Sequence, residues 1–140
     1  MPLVETIETP GSDAVTASIR VTVWPRFEPD QSDPHQRQFI FSYRIRITNE
    51  SGQPVQLVAR RWIIIDAHGS TDVVEGPGVL GRQPHIGPGE HHEYASFCPL
   101  RTSWGTMEGS YTMRCADGCE VQARVARFYL VTPAGVLLPT

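Results

Sequence analysis

The residues with the clearest chemical potential form the motif Gly76-Pro77-Gly78-Val79-Leu80-Gly81, which has the spacing GxGxxG. In dinucleotide-binding folds this spacing follows a strand and opens a helix, whose free N–H groups hold a pyrophosphate. Pro84 and Pro88 follow too closely for a helix to begin after Gly81. Two interpretations remain: a small anion-binding nest of backbone N–H groups, or glycines that satisfy the dihedral angles of a tight turn.

The nest interpretation predicts a binding site for a pyrophosphate or nucleotide, with Arg82 adding positive charge. Its candidate ligand-binding residues are Gly76, Gly78, Gly81, Arg82 and Gln83. We favour the turn interpretation, because motifs this short often match by chance.

A second candidate is Arg60-Arg61-Trp62, where two arginines precede an aromatic residue. At a β-bulge both arginines would reach the surface beside the tryptophan, and this patch would suit an acidic protein partner or a phosphate. The alternative, which we favour, is that the arginine stems cover the edge of the core and pair with acids such as Glu75 or Glu108.

The histidines and cysteines do not predict a metal site or a catalytic centre. His91 and His92 are adjacent on a predicted strand, so they point to opposite faces. His68 could meet Asp66 and Asp72 across one turn, but such mixed sets are common by chance. No cysteine has a histidine partner in the pattern. We therefore expect no metal, no cofactor and no enzymatic activity.

Composition restricts the class of protein further. The 140 residues suit one domain, and the net charge of −3 does not favour binding to nucleic acid. All 12 basic residues are arginine, which excludes a Schiff-base or P-loop lysine. No apolar run approaches the ~20 residues that span a bilayer. The acidic N-terminus lacks the features of a signal peptide, so we expect a cytoplasmic protein.

Alternating apolar and polar residues predict antiparallel strands along most of the chain. Trp24-Pro25 is predicted to end the first strand, and Asn49 to Gly52 to form a hairpin-type turn. In the third strand the alternation slips at Arg60-Arg61, which predicts a bulge there. The predicted strands cover approximately residues 15–23, 39–48, 55–65, 90–97, 107–115 and 121–130.

The turn between the last two strands can be predicted in register. A loop of Ala116-Asp117-Gly118, with Gly118 left-handed, pairs Met113 with Val121 and Tyr111 with Ala123. This register keeps both apolar faces together, whereas a two-residue loop would not. It also places Cys115 opposite Cys119. A reducing cytoplasm and a hydrogen-bonded pairing at this position argue against a disulfide between them.

These strands predict an all-β protein with a β-sandwich of about seven antiparallel strands. We expect a flexible leader over residues 1–14, the sandwich domain over residues 15–132 and a C-terminal tail over residues 133–140. The glycine-rich segment 75–90 lies between strands, so it is predicted to carry the chain from one layer to the other.

Several uncommon residue clusters resemble those of the ApaG family, in the same order over residues 16–132. They are Gln31-Ser-Asp-Pro34, Phe41-Ser-Tyr-Arg-Ile-Arg-Ile-Thr-Asn49, Arg61-Trp62, Gly76-Pro-Gly-Val-Leu-Gly-Arg-Gln-Pro84 and Gly105-Thr-Met-Glu-Gly-Ser-Tyr111. The resemblance implies a fibronectin-III-like or immunoglobulin-like sandwich in the cytosol, linked to cobalt resistance and magnesium efflux, without an established enzymatic activity.

Two functional hypotheses follow from the sequence. The first is a non-enzymatic sandwich that binds a protein partner and affects cation resistance indirectly. The second is a sensor that holds a pyrophosphate or nucleotide at the glycine loop. Since the exposed edges of sheets often pair, a homodimer is a further expectation.

Overall fold

Residues 9–134 of the computed structural model form two antiparallel sheets without an α-helix. The strands are β1 (Ser12–Thr16), β2 (Ile19–Phe27), β3 (Phe39–Asn49), β4 (Val55–Asp66), β5 (Thr71–Pro77), β6 (His85–Ile86), β7 (His91–Leu100), β8 (Trp104–Cys115) and β9 (Glu120–Val131). The first sheet has the order β1-β2-β3-β7, and the second has the order β5-β4-β8-β9 with β6 paired to β4. Single 3-10 turns at Pro29–Gln31 and Pro34–Gln36 precede β3.

The predicted β-sandwich is confirmed, although the described residues contain more strands than expected. The inward faces of β3 and β8 match the predicted alternation, and the long side chains on them are buried. No helix among residues 9–134 has the length and apolar character needed to cross a membrane.

The first predicted strand is wrong, because the chain reverses within it. Ala17 and Ser18 both have positive φ angles, 47° and 64°, and join β1 to β2 in a two-residue hairpin. Positive φ at both central residues is the geometry that matches the twist of the flanking strands. Neither residue is a glycine or an asparagine, so the turn carried no sequence signal. Pairing therefore begins at Ser12, within the segment predicted to be a leader.

Trp24-Pro25 does not end β2, which continues to Phe27. Val23 accepts a hydrogen bond from Gly11 N at 2.8 Å, so its backbone polar groups point away from β3. Pro25 lies two residues further along β2, so its nitrogen points to the same side as the backbone groups of Val23. The pairing of β1 with β2 does not extend beyond Val23, so Pro25 lies past the end of β1. A missing N–H is tolerated at such an edge.

The turn after β3 does not form a hairpin, because β3 and β4 belong to different sheets. Asn49, which is fully buried, holds this crossover with its side-chain amide. Its Nδ2 donates to Gln53 O at 2.7 Å and to Ile86 O at 3.0 Å, and its Oδ1 accepts from Ser51 N at 3.0 Å. The hydrogen bonds offset the desolvation of the buried amide.

The bulge in β4 lies at Val58 and not at Arg60-Arg61, because the register against β8 shifts between Leu57 and Ala59. Arg60 consequently faces the interior opposite Tyr111, whereas Ala59 faces outward. A shift of one residue reverses the direction of every later side chain in a strand.

Two other predictions of register are confirmed. β8 and β9 pair Tyr111 with Ala123 and Met113 with Val121, and Gly118 has a φ of 88°. The predicted slip in β9 near Ala126 is also present.

The two sides of the sandwich differ. On one side β9 packs against β1 and β2, and Arg124 N donates a hydrogen bond to Thr16 Oγ1 at 3.1 Å. On the other side the edge strands β5 and β7 face each other across a cleft. Most side chains of β5 are exposed, which explains why no clear alternation of apolar and polar residues marks this strand.

Candidate functional site: a cleft beside the glycine loop

The GxGxxG motif spans the end of β5 and a tight turn. Val79 N donates to Arg82 O at 2.8 Å, and Arg82 N donates to Val79 O at 2.9 Å. The two central residues, Leu80 and Gly81, both have positive φ angles, 49° and 76°. No helix follows Gly81, as the prolines predicted, and the segment then leads through β6 to β7 in the other sheet.

Several polar groups of the loop are already committed to internal hydrogen bonds. Gly78 N donates to Val58 O at 2.9 Å, and Gln83 Nε2 donates to the same oxygen at 2.9 Å. The carbonyl oxygens of Pro77 and Gly78 accept from Arg60 Nη1 at 3.0 and 2.9 Å. The loop thus presents carbonyl oxygens to the neighbouring arginine. Arg82 remains exposed.

The structure thereby connects the two candidate sites that the sequence treated separately. The ligand site formed by Gly76, Gly78, Gly81, Arg82 and Gln83 remains a prediction. Arg60 lies against Gly76, where a Cβ atom would be 3.0 Å from Arg60 Nη1. A Cβ atom at that position would press against the guanidinium group, so the glycine allows the arginine to lie close against β5.

Arg60, Arg61 and Trp62 do not share one surface. Trp62 is only 3% exposed and packs in the core, whereas Arg61 faces outward and pairs with Glu75 at 2.9 Å. The predicted pairing with Glu75 is therefore present. Glu108, the other predicted acid, pairs with Arg127 at 2.9 Å. Of the three residues, Arg60 and the edge of Trp62 reach the cleft.

The cleft has a volume of about 1150 Å³ and lies between the inner faces of the two open edges. Ser96 and Cys98 of β7 form one wall, and Val74 and Asp72 of β5 form the other. The small side chains on β7 leave this space open. A fractional exposure of 40% for Val74, which pairs with Trp62 and shares its inward direction, shows that the opposite sheet does not cover it.

Polar side chains lie at the end of the cleft near Arg60. Tyr43 hydrogen-bonds to Ser96, and burial raises the pKa of the Tyr43 hydroxyl. Deeper in the interior, the hydroxyl groups of Tyr94 and Tyr111 form a hydrogen bond. Burial raises the pKa of both phenols, so they stay neutral near physiological pH.

Comparison with known proteins agrees with these features. A family model described as the ApaG domain matches residues 29–115. The chain belongs to the ApaG family. A protein named ApaG from Anaeromyxobacter dehalogenans strain 2CP-1 is 50% identical over 125 residues, which cover 89% of this chain and 98% of the relative. Protein ApaG of Methylobacterium sp. strain 4-46 is 47% identical over 120 residues, covering 86% and 92%.

A solved structure supports the same family. The crystal structure of a Bordetella pertussis protein described as ApaA has a TM-score of 0.81 and 44% identity, and covers 83% of this chain and 94% of that one. The ApaG match includes the glycine loop, β4, β5 and β7, so the cleft lies within the part of the chain that carries the family pattern.

The cysteines of this ApaG-family chain differ in state. The structure joins Cys115 and Cys119 in a disulfide, contrary to the expectation from the sequence. The three-residue turn brings their Cα atoms to 5.0 Å, which is within the range that a disulfide spans. Cys98 is a free thiol with 3% exposure, as expected for a small core residue.

The histidines give no metal centre in the described part of the chain. His91 and His92 differ in exposure at the start of β7, in agreement with opposite faces. Asp66 Oδ1 accepts hydrogen bonds from His68 N and Ser70 N, at 2.9 and 3.0 Å, and so stabilises the turn. Within residues 9–134, the one group with metal-ligand spacing is Cys115, Asp117 and Cys119, whose two sulfurs are joined to each other.

The buried thiol and phenols predict a loss of stability at alkaline pH. Burial raises the pKa of the Cys98 thiol to about 11, from 9.0 in the unfolded chain. The protonated thiol contributes fully to the free energy of unfolding below pH 9, and this contribution is lost as the pH rises toward 11. We expect the thiol alone to lower the free energy of unfolding by about 2 kcal/mol between about pH 8 and pH 10.5.

Urea unfolding at both pH values would measure this effect. The phenols add to the decline above about pH 10, where they ionise in the unfolded chain. Cys98→Ala serves as the matched variant, because it should be less stable at pH 8 but lose about 2 kcal/mol less on going to pH 10.5. Equal losses in both proteins would contradict the assignment to the thiol.

Proposed function

We propose that this chain is a non-enzymatic protein-interaction module of the ApaG family, and that the cleft between β5 and β7 holds an extended segment of a partner protein. The observation that carries the proposal is the asymmetry of the sandwich. Among residues 9–134, one side is closed by β1 and β9, whereas the other leaves two strand edges unpaired beside partly exposed apolar side chains.

An extended segment fits this geometry for two reasons. Unpaired N–H and C=O groups at a sheet edge bind a further strand, which supplies affinity without depending on side-chain identity. The inner faces of β5 and β7 then offer alternate side chains for contact, including Val74 on one wall and Ser96 on the other.

We propose a non-enzymatic protein because the groups that line the cleft do not suit catalysis. Its one thiol, Cys98, has its pKa raised to about 11 by burial, so little reactive thiolate is present at neutral pH. Its phenol, Tyr43, is likewise held neutral, since burial raises its pKa. These groups suit hydrogen bonding to a bound segment.

The cellular role belongs to the same proposal. We propose that the chain acts in the cytoplasm, and that the link to cobalt resistance and magnesium efflux expected from the resemblance to the ApaG family works through the bound partner. A second copy of this chain is the competing occupant of the cleft, and light scattering on the pure protein separates the two, because a stable dimer would double the mass.

Two arginine substitutions on β5 test the proposal. Val74→Arg places a long charged side chain in the cleft. Val73 also borders the cleft, but it pairs with Ile63 and alternates with Val74, so Val73→Arg directs the same charge to the outward face of the strand. Each variant, with the wild type, would be cross-linked in cells of the source organism and captured. We expect a shared partner for the wild type and Val73→Arg that Val74→Arg loses while still folded. The same partner captured by all three proteins would overturn the role of the cleft.

A growth assay connects the cleft to cation resistance. In a strain that lacks the gene, we expect Val73→Arg to restore growth in cobalt and Val74→Arg to fail. Full restoration by Val74→Arg at normal protein levels would separate cobalt resistance from the cleft.

A further inference from the structure

The cleft contains a positively charged side chain, Arg60, that no ion pair within the described part of the chain neutralises. Arg60 projects inward from β4, and its Nη1 donates to two backbone carbonyl groups of the glycine loop. Within residues 9–134, no carboxylate forms an ion pair with Arg60, whereas Arg61, the next residue, pairs with Glu75. A partly buried guanidinium group without a carboxylate is suited to bind one from another molecule.

The surroundings of Arg60 leave one edge of its guanidinium group available to a carboxylate. Its guanidinium lies on Gly76, and Nη1 is occupied by the carbonyl oxygens of Pro77 and Gly78. Nη2 and Nε have no intramolecular acceptor among the described residues. Two donors on one edge of a guanidinium group match the two oxygens of a carboxylate.

The next inward-facing residue on β4 favours an apolar side chain of the bound segment rather than an acidic one. Trp62 follows Arg60 on the same face, and Val74 of β5 lies opposite Trp62. The partly exposed Val74 and the edge of Trp62 form an apolar surface beside the charged one. Alternate residues of a strand lie about 7 Å apart, so an extended segment presents its residues i and i+2 to these two positions.

The end of the cleft away from Arg60 does not favour one type of partner side chain. It carries Asp66 and Asp72 together with Arg37 and Arg101, so its charges are mixed. Selectivity is therefore concentrated at Arg60 and at the apolar surface formed by Val74 and the edge of Trp62.

We infer that the cleft recognises an extended protein segment with an acidic side chain bound by Arg60 and an apolar side chain two residues away, packed against Trp62 and Val74. This inference rests on the proposed function and adds the chemistry of the partner.

A library of random octapeptides displayed on phage provides the probe for the full-length protein. We expect the selected peptides to share Asp or Glu with an apolar residue two positions away. A synthetic peptide with Glu→Gln at that position should bind the wild-type protein at least about tenfold more weakly, as for the loss of a charge-assisted hydrogen-bonded pair. This comparison requires no protein variant, so it does not depend on the folding of a mutant.

Two neighbouring substitutions provide matched controls. Arg60→Gln and Arg61→Gln remove the same charge from adjacent positions on β4, but only Arg60 faces the cleft. We expect Arg60→Gln to bind the Glu and Gln peptides alike, and Arg61→Gln to retain the tenfold difference. Thermal unfolding of both variants would confirm that they are folded.

The outcomes separate this inference from the proposed function. If Val74→Arg abolishes peptide binding but Glu→Gln has no effect, the cleft is the binding site and the acidic anchor is wrong. If no peptide is selected, or if Val74→Arg leaves binding unchanged, the proposed function itself is contradicted.

Discussion

Trp62→Ala is expected to lower the free energy of unfolding by about 3–5 kcal/mol, the usual cost of truncating a buried aromatic residue. The Trp62 ring makes edge-to-face contacts with Tyr43, Tyr111 and Phe128, at centroid distances of 5.5, 6.0 and 6.0 Å. These rings belong to both sheets, so alanine would leave a cavity where the two layers meet. Urea denaturation followed by circular dichroism would measure the loss.

Trp104→Ala is the matched control, because Trp104 is 43% exposed near the start of β8. We expect it to change the free energy of unfolding by at most about 0.5 kcal/mol. A similar small cost for Trp62→Ala would contradict the core position.

The sequence predicted the sheets wherever one face of a strand is buried and the other is solvated. β3, β8 and β9 follow that condition, and even the slip in β9 was visible. β5 does not follow it, because the open cleft exposes its inward side chains as well as its outward ones. The strand that forms one wall of the candidate site was therefore the hardest to predict.

Turns were predicted only where their residues carry a conformational signal. Gly118 identified the β8–β9 turn, whereas Ala17 and Ser18 adopt positive φ angles without any such signal. The residues from Asn49 to Gly52 predict a hairpin, because turn residues do not reveal which sheet the next strand joins. That choice depends on burial of Asn49 and its contact with Ile86, 37 residues later.

The direction of Arg60 shows why the site itself was only partly predicted. The sequence indicated one bulge in β4, but the apolar pattern allowed it to lie at Arg60-Arg61. Its true position at Val58 turns Arg60 into the sandwich and Arg61 toward solvent. The residues of both candidate sites were identified, yet their contact through Arg60 and the glycine loop depends on a shift of one residue.

The glycine motif provides the second large expected effect. Gly78→Ala is expected to lower the free energy of unfolding by about 2–5 kcal/mol, because the added Cβ would lie 2.0 Å from Arg82 O. Relief of that clash requires loss of the two hydrogen bonds between Val79 and Arg82, each worth about 0.5–1.5 kcal/mol. The φ angle of 56° at Gly78 adds about 1–2 kcal/mol of backbone strain.

Gly81→Ala in the same motif is the control that isolates the backbone term. Gly81 has a φ of 76° but no heavy atom within 4 Å of its added Cβ, so we expect a loss of only about 1–2 kcal/mol. Equal losses for the two variants would contradict the close approach of Arg82 to Gly78.

Thermal unfolding of the wild type with and without pyrophosphate distinguishes a structural turn from a ligand-binding site. A ligand that binds only the folded loop raises the midpoint of unfolding. We expect no such rise, since the turn already uses the N–H groups of Gly78, Val79 and Arg82 within the protein.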